Sequence, residues 1–361
     1  MKPRDIEFAV RVTDRCNLNC AYCYARTADP GHMSLETMTK VLTEAASLTD
    51  GQIIISWTGG EPLLMGLEFF GAAMAVQTAL GRERFTNIVQ SNLILLNEGY
   101  TGFFADNGFS VRTSLDLPPD NHEALRLDGD FARSMASIAR LKKAGVPINV
   151  NTVVTGRNVG RTAEIYAFLK QRDINSFSVS RLVEQANAAD HPELFLGSNE
   201  AFGEFLVQLF DLWVADWPEP SVQRITPLDK LMAACRRGSR DEGSKCFHCQ
   251  SQMFAVDPRG RVFPSCNKFI ALPETCFGNI NEAPLTTLLG SAARRQFLTS
   301  TGDVSGRVCG MCEFVDLCEG GCYHIAHTAL TRGGDVHTRE NFCKGYYLVF
   351  ARILKYLKAG Q

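Results

Sequence analysis

No cysteine occurs between Cys23 and Cys235, although the 361-residue chain carries thirteen. A disulfide framework spreads its bridges along a small secreted domain, so this gap argues against one and for metal binding. There is no surplus of positive charge: 37 Lys and Arg stand against 39 Asp and Glu, a net charge of −2. That balance lacks the basic field that gathers nucleic acid or anionic membranes. No apolar run approaches the ~18 residues of a membrane span. The opening MKPRDIEFAVRV also lacks the apolar stretch and cleavage site of a secretory signal. A cytoplasmic protein with no nucleic-acid or membrane partner is expected. Repeats and low-complexity tracts are missing too. What is present, 45% hydrophobic and 21% charged residues, describes a globular protein with one large and one smaller domain.

The first half alternates β-branched runs with amphipathic helical patterns. Strands are expected at Ile6–Thr13, Gln52–Trp57, Thr86–Gln90, Ser110–Leu115, Pro147–Val154 and Ser176–Arg181. Helices are expected at Leu35–Leu48, capped by Ser34, at Phe131–Ala144, closed by Gly145, and at Phe202–Val214. Such βα units imply an α/β fold whose parallel strands are joined by helices, as an open sheet or an incomplete barrel, with chemistry at the C-terminal strand ends. Cys16, Gly59, Asn92, Asp116 and Leu182 all follow a strand. After Val183 the alternation fades, DWPEPSVQRITP has the composition of a linker, and from Lys245 onward cysteine and glycine dominate short segments. A region so poor in apolar periodicity needs metal or cross-links to hold its shape. Domains are therefore expected at 1–215 and 245–361, bridged by 216–244.

CNLNCAYC places Cys16, Cys20 and Cys23 at spacings x3 and x2, with no fourth cysteine or histidine beside them. Structural zinc sites close with four protein ligands. Three soft thiolates suit a [4Fe–4S] cluster that leaves one iron open. A zinc site completed from a distance is the alternative.

With Tyr22 before the third cysteine, this motif resembles that of the radical S-adenosylmethionine enzymes. The resemblance implies a partial (β/α)6 barrel whose open iron chelates S-adenosylmethionine. One electron then cleaves the sulfonium to give a radical that abstracts hydrogen from an unactivated C–H bond. It implies cofactor-binding roles for Gly59, Gly60, Glu61 and Pro62, the GGEP segment, whose glycines let backbone approach a ligand. It implies further contacts from Asn92 in QSN, from Ser114 and Arg126 toward ribose and carboxylate, and from Leu182 against adenine.

The tail holds Cys309, Cys312, Cys318 and Cys322 at spacings x2, x5 and x3, then Cys343, with Cys246, Cys249 and Cys266 upstream. This array resembles the SPASM extension of the same enzymes, a cysteine-rich iron–sulfur domain. The resemblance implies Cys309, Cys312, Cys318 and Cys343 on one auxiliary [4Fe–4S] cluster and Cys246, Cys249, Cys266 and Cys322 on another, three clusters in all. Cys235 and Cys276 are left as bystanders, with Cys235 able to displace Cys246 or Cys249. Two zinc sites are the alternative. The chain departs from the pattern twice. Gly260 to Cys266 is x5 where x4 is usual. Asn267 stands where sulfatase-maturing relatives carry an aspartate that serves as base, and an amide cannot accept that proton. Asp116 or Asp257 is the candidate substitute.

Members of this group act mostly on peptides and proteins. The resemblance therefore implies a radical oxidoreductase that installs a cyclophane-type carbon–carbon or thioether cross-link in a ribosomally made peptide. Sulfatase maturation (formylglycine formation) or oxidation of a cofactor precursor is the alternative, with a non-enzymatic zinc scaffold as the remaining rival. The expected partners are the precursor peptide or protein and an external electron donor of flavodoxin or ferredoxin type. Only fifteen residues precede Cys16, so the N-terminal peptide-recognition domain of many relatives is expected to be absent. A leader peptide would then bind the barrel, the tail or a separate protein. Tyr323, His324, His327, Tyr346 and Tyr347 either line a peptide groove or pack around clusters.

Overall fold

The computed structural model describes residues 5–27, 29–126, 129–184, 186–238, 252–309, 312–318, 321, 322, 324, 327 and 337–360. In chain order the elements are β1 (Ile6–Thr13), α1 (Leu35–Leu48), β2 (Ile53–Gly59), α2 (Gly66–Ala79), β3 (Phe85–Ser91), α3 (Glu98–Asp106), β4 (Ser110–Ser114), α4 (Pro119–Leu125), α5 (Phe131–Lys143), β5 (Ile148–Val154), α6 (Thr162–Gln171), β6 (Ser176–Arg181), α7 (Asn199–Ala215), β7 (Arg224–Thr226), α8 (Leu228–Arg237), β8 (Met253–Val256), β9 (Arg261–Pro264) and β10 (Gly278–Asn279). Helices at Leu285–Leu289, Ala292–Cys309, Val315–Cys318 and His337–Ala359 follow. The chain divides into two compact units. One comprises Met1–Ser114, Arg126–Ile148 and His248–Leu298; the other comprises Leu115–Leu125, Asn149–Phe247 and Thr299–Gln361.

In the first unit the strands lie in the order β10-β9-β8-β1-β2-β3-β4. β1, β2, β3 and β4 are parallel, with Val10 opposite Trp57, Trp57 opposite Val89, and Val89 opposite Val111. β1 is buried along almost its whole length, as a strand covered on both faces must be, which is why it reads as a continuous apolar run. β8 pairs in parallel with the other edge of β1, and β9 and β10 continue antiparallel. That pairing draws residues 248–298 into this unit, so compactness cuts across the contiguous boundaries expected from sequence composition. Where x5 separates Gly260 from Cys266, Ser265 adopts φ 58 while its N–H still bonds Met253 O. The left-handed turn gives the longer segment room without losing the pairing.

The core of this unit is aromatic. Trp57 meets Phe69 and Phe70 edge-on, and Phe70 meets Tyr100, Phe104 and Phe109 in the same way. Trp57 Nε1–H donates to Asn87 Oδ1, and Asn87 and Gln77 exchange hydrogen bonds through their amides. This corrects the expectation that no apolar run is long enough to span a membrane. Pro62–Ala79 reaches a mean hydropathy of 1.2 over 18 residues. Its inner residues, Phe69, Phe70, Ala73, Met74 and Gln77, belong to this core, which accounts for their apolarity.

In the second unit β5, β6 and β7 run parallel. The segment expected to be a linker contains β7, with Ile225 opposite Phe177. The tail expected to be irregular includes the 23-residue helix His337–Ala359. That helix packs on α7 through two glycines: a Cβ on Gly203 would lie 2.4 Å from Gly345 Cα. Phe210 against Tyr356, and Arg352 on Asp211 at 2.8 Å, extend the contact. Replacing Gly203 with alanine should therefore force the helices apart. A loss of about 1–3 kcal/mol in chemical denaturation is expected for such overpacking.

Candidate functional site

β1 ends at Thr13, and the chain turns into the loop of Cys16, Cys20 and Cys23. The end of β2 holds this loop by main chain alone. Gly60 N–H donates to Thr13 O and Glu61 N–H to Arg15 O, both at 2.8 Å. The approach leaves no space for side chains: a Cβ on Gly59 would lie 2.6 Å from Thr13 O, and one on Gly60 2.3 Å from Arg15 O. The sequence suggested that these glycines admit a ligand. The structure shows them letting one backbone lie against another.

Glu61 carries the connection onward. It is fully buried; its Oε1 accepts from Leu63 N–H (3.0 Å) and Ser91 Oγ (2.9 Å), and its Oε2 from Asn92 N–H (2.8 Å). Burial pushes its carboxyl up to about 7, against the pull of those hydrogen bonds. Asn92 in turn donates through Nδ2 to Asn17 Oδ1 at 2.9 Å and lies 3.8 Å from Cys16 Sγ. The ends of β2 and β3 and the cysteine loop thus form one hydrogen-bonded body. From the other side Asp14 accepts from Gly31 N–H at 3.1 Å and pairs with Arg11 at 2.8 Å, both side chains 5% exposed. Neither Arg11 nor Asp14 was singled out from sequence. Opposite charges three residues apart, at the end of β1 and just past it, were the available signal.

The loop brings together other expected residues. Arg126, 5% exposed, donates from Nη2 to Tyr22 OH at 2.6 Å, and its guanidinium stands 5.8 Å from that ring's centroid. Pro62 opens the short turn after Glu61, and Ser114 closes β4, half-buried. In the second unit, Leu182 is buried just past β6, its N–H donating to Val154 O at 3.2 Å. Asp116, weighed as a base, is fully buried there and accepts from Val153 N–H at 3.1 Å. This bond ties one of its carboxylate oxygens to the backbone of β5. Asp257 is likewise 1% exposed, and it binds the N–H groups of Arg259 and Arg261 and the Arg261 guanidinium.

Sequence reasoning marked Asn267 but not its partner. Tyr24 OH donates to Asn267 Oδ1 at 3.0 Å, joining the residue after Cys23 to the residue after Cys266. Cys309 closes the helix Ala292–Cys309, and Cys318 closes Val315–Cys318. Turn hydrogen bonds from Cys312 N–H to Cys309 O and from Gly321 N–H to Cys318 O tie the loops of that segment. Cys322 is half-buried. Cys246, Cys249 and Tyr323, and the side chain of Cys343, lie outside the described residues. His324 and His327 are buried. Tyr347 packs on Phe314 with ring centroids 4.8 Å apart and donates to Glu313, whereas Tyr346 is half-buried. Cys235 is buried on α8, and burial pushes its thiol up to about 11, as befits an inert bystander. Cys276 Sγ lies 3.4 Å from Gly278 O.

The donor set fits iron–sulfur chemistry. Cys16, Cys20 and Cys23 stand on one loop, none of them in a disulfide. Among the described residues, no three His, Cys, Asp or Glu side chains converge on the point that a single ion would take. Burial pushes the Cys16 thiol up, with Glu61 and Cys23 adding to the effect. It becomes a thiolate once a cationic centre supplies the compensating charge.

Two substitutions test this body of contacts. Gly60→Ala drives a methyl group into the Arg15 carbonyl, and iron retained after anaerobic reconstitution should fall well below that of the unaltered protein. Glu61→Gln sets an N–H against the Asn92 N–H, with an expected cost of about 1–3 kcal/mol in urea unfolding. The pH dependence has a definite sign. Glu61 holds its proton more tightly when folded (about 7) than when unfolded (~4.3). Its contribution is complete below ~4.3 and is lost as pH rises through 7. Glu61→Gln should flatten that part of the stability profile.

Residues 10–169 match the family model of the radical SAM superfamily, and residues 246–313 match SPASM, an iron–sulfur cluster-binding domain. The chain is 30% identical to the serine-type anaerobic sulfatase-maturating enzyme of Bacteroides thetaiotaomicron, across 95% of this chain and 87% of that one. It is 27% identical to the cysteine-type enzyme of Clostridium perfringens, across 85% of each. Among solved structures, anSMEcpe with bound AdoMet superposes with a TM-score of 0.83 at 23% identity, covering 98% of both chains. Streptococcus suis SuiB bound to S-adenosylmethionine gives 0.68 at 15%, covering 91% of this chain and 75% of that one. The expected α/β architecture, with its parallel strands and cysteine-rich C-terminal domain, is the fold these structures share. The chain belongs to the radical SAM superfamily, in the SPASM-bearing family of the anaerobic sulfatase-maturating enzymes.

Proposed function

We propose that this radical SAM enzyme abstracts hydrogen from a side chain of a ribosomally made peptide and closes a cyclophane-type carbon–carbon or thioether cross-link. Cys16, Cys20 and Cys23 would hold a [4Fe–4S] cluster, which when bound would supply the electron for reductive cleavage of S-adenosylmethionine. The chain's own residues hold the cofactor. Gly59, Gly60, Glu61 and Pro62 shape the methionine end through the tie to Arg15. Asn92 and Ser114 offer polar contacts at strand ends, the packed Tyr22–Arg126 pair faces the adenosyl group, and Leu182 gives it an apolar wall. Cys246, Cys249, Cys266 and Cys322, with Cys309, Cys312, Cys318 and Cys343, would hold two auxiliary clusters able to accept the electron that cross-linking releases. A flavodoxin- or ferredoxin-type donor supplies the first electron, and a separate protein is the natural holder of a leader peptide. Oxygen-sensitive clusters suit the reducing cytoplasm.

The observation that carries this reading is the pair Tyr24–Asn267. Oxidising a serine hydroxyl to formylglycine needs a base for its proton. Asn267 is neutral and engaged by Tyr24, whose phenol burial pushes well above its usual range, so neither takes a proton near pH 7. Asp116 already binds the Val153 N–H, and Asp257 is paired with the Arg261 guanidinium. Carbon–carbon closure onto an aromatic ring ends with loss of a strongly acidic ring proton, which water accepts.

One observation favours a second reading, sulfatase maturation: the likeness to the serine-type relative runs over 95% of this chain. Anaerobic turnover separates the two. With the short peptide encoded beside the gene, a mass loss of two hydrogens is expected in a product that does not react with an aldehyde reagent such as hydroxylamine. Formylglycine in the Cp18Cys peptide, which is bound in one anSMEcpe structure, would establish the second reading instead. Cys20→Ala should abolish release of 5′-deoxyadenosine with either peptide. Release at the unaltered rate would overturn the assignment of the cysteine loop.

A further inference from the structure

The parallel strands of the first unit present two unlike faces. Trp57, Val89 and Val111 stand opposite one another and are buried on the face that carries the aromatic core. The next residue on each strand, Thr58, Gln90 and Arg112, points to the other face, because side chains alternate along a strand. The register sets Arg11 beside Thr58 and Gln90 beside Arg112, so the four residues cross the sheet in one row. Further along the same face of β4, by about 6–7 Å at the rise of a strand, stands Ser114.

On this face Ser56 Oγ donates to Glu7 Oε1 at 3.0 Å, and Arg11 pairs with Asp14 at 2.8 Å. The rest of the row is different. Thr58 is only 3% exposed, and its Oγ1 is buried without a hydrogen-bond partner. Gln90 and Arg112 are half-buried, and neither side chain makes a hydrogen bond or ion pair among the described residues. Buried hydroxyls in native structures are nearly always matched. A guanidinium cannot shed its charge to suit a sheltered setting, and it offers a planar fork of donors. Three neighbouring strands thus hold out a cation, an amide and a hydroxyl side by side, and the partner they lack is an anion with several acceptor atoms.

We propose that Thr58, Gln90 and Arg112 form a subsite for a carboxylate of the peptide substrate, with Arg112 as the fork that receives it and the other two as flanking donors. A carboxylate fits the fork with two parallel hydrogen bonds. An acidic side chain and a C-terminus present the same group. The row precedes Ser114, a cofactor contact in the reading above, so the carboxylate would anchor the peptide beside the cofactor. The proposal rests on the peptide-substrate reading and deepens it by naming a group the substrate carries.

The test uses the full-length, anaerobically reconstituted protein with S-adenosylmethionine and three probes. They are N-acetyl-Gly-Gly-Glu-Gly amide, its glutamine counterpart, and the glutamine peptide with a free C-terminal acid. Titration by saturation-transfer NMR should show a carboxylate probe bound about tenfold more tightly than the neutral amide. Which of the two acids gains tells an acidic side chain from a C-terminus. Arg112→Met should erase the preference, and Arg112→Lys should keep part of it, since the ammonium retains the charge without the fork. Thr58→Val should weaken the bound acid by a smaller factor. Arg112→Met should leave the midpoint of urea unfolding unchanged or raise it, because it removes an uncompensated charge. A lower midpoint gives Arg112 a partner within the chain and overturns the subsite. Equal binding of acid and amide probes, no binding of any, or a preference that survives Arg112→Met overturns it too. A tenfold loss of S-adenosylmethionine affinity in Arg112→Met assigns the residue to the cofactor and has the same effect. A preference that depends on Arg112, with neither Cp18Cys nor the gene-adjacent peptide modified, sustains the subsite and counts against the proposed reaction instead.

Discussion

Everything at the site depends on two peptide groups lying against one another with nothing between them. The β2 terminus can approach the cysteine loop as closely as it does only because Gly59 and Gly60 have no Cβ. The position of Cys16 is therefore fixed by main-chain geometry that no rotamer can relax. Glu61 extends this rigidity to β3 through Ser91 and Asn92. A loop that must keep three thiols in register, and must survive one-electron chemistry beside it, gains more from such a frame than from side-chain packing.

The frame carries a cost. A fully buried carboxylate is unfavourable, and its hydrogen bonds only partly offset desolvation. Arg11 and Asp14 meet the same problem differently, by pairing within the shelter of β1. The core around Trp57 and Phe70 is aromatic, whereas both of these arrangements sit beside the cysteine loop. Burying charge there trades stability for a defined geometry where geometry matters most.

Much of this was legible in the sequence, where local signals agree with tertiary demands. β1 and β6 fall on the expected residues, as does α1 with its Ser34 cap bonding Thr37 N–H. The cysteine loop and the glycines were visible as motifs. Other features were hidden because their cause is not local. β7 is three residues in a proline-rich stretch and exists because β6 offers it an edge. The helix His337–Ala359 opens with polar and charged residues, and its partner α7 lies far back in the chain. Tyr24 was passed over because it follows a ligand motif that already accounted for its neighbours. The backbone contact made by Gly59 and Gly60 was not foreseen, because spacing shows that a close approach occurs but not everything that is approached.

The placement of β8 has a consequence for biosynthesis. It lies along β1, which is synthesised long before it. Until residues 253–256 emerge, β1 has an unpaired edge of N–H and C=O groups beside the loop destined to carry iron, a hazard for self-association in a nascent chain. Closure by β8 ends that interval. The strand that seals the edge belongs to the same stretch of chain as Cys266, so the edge beside the cysteine loop is covered as Cys266 arrives during translation.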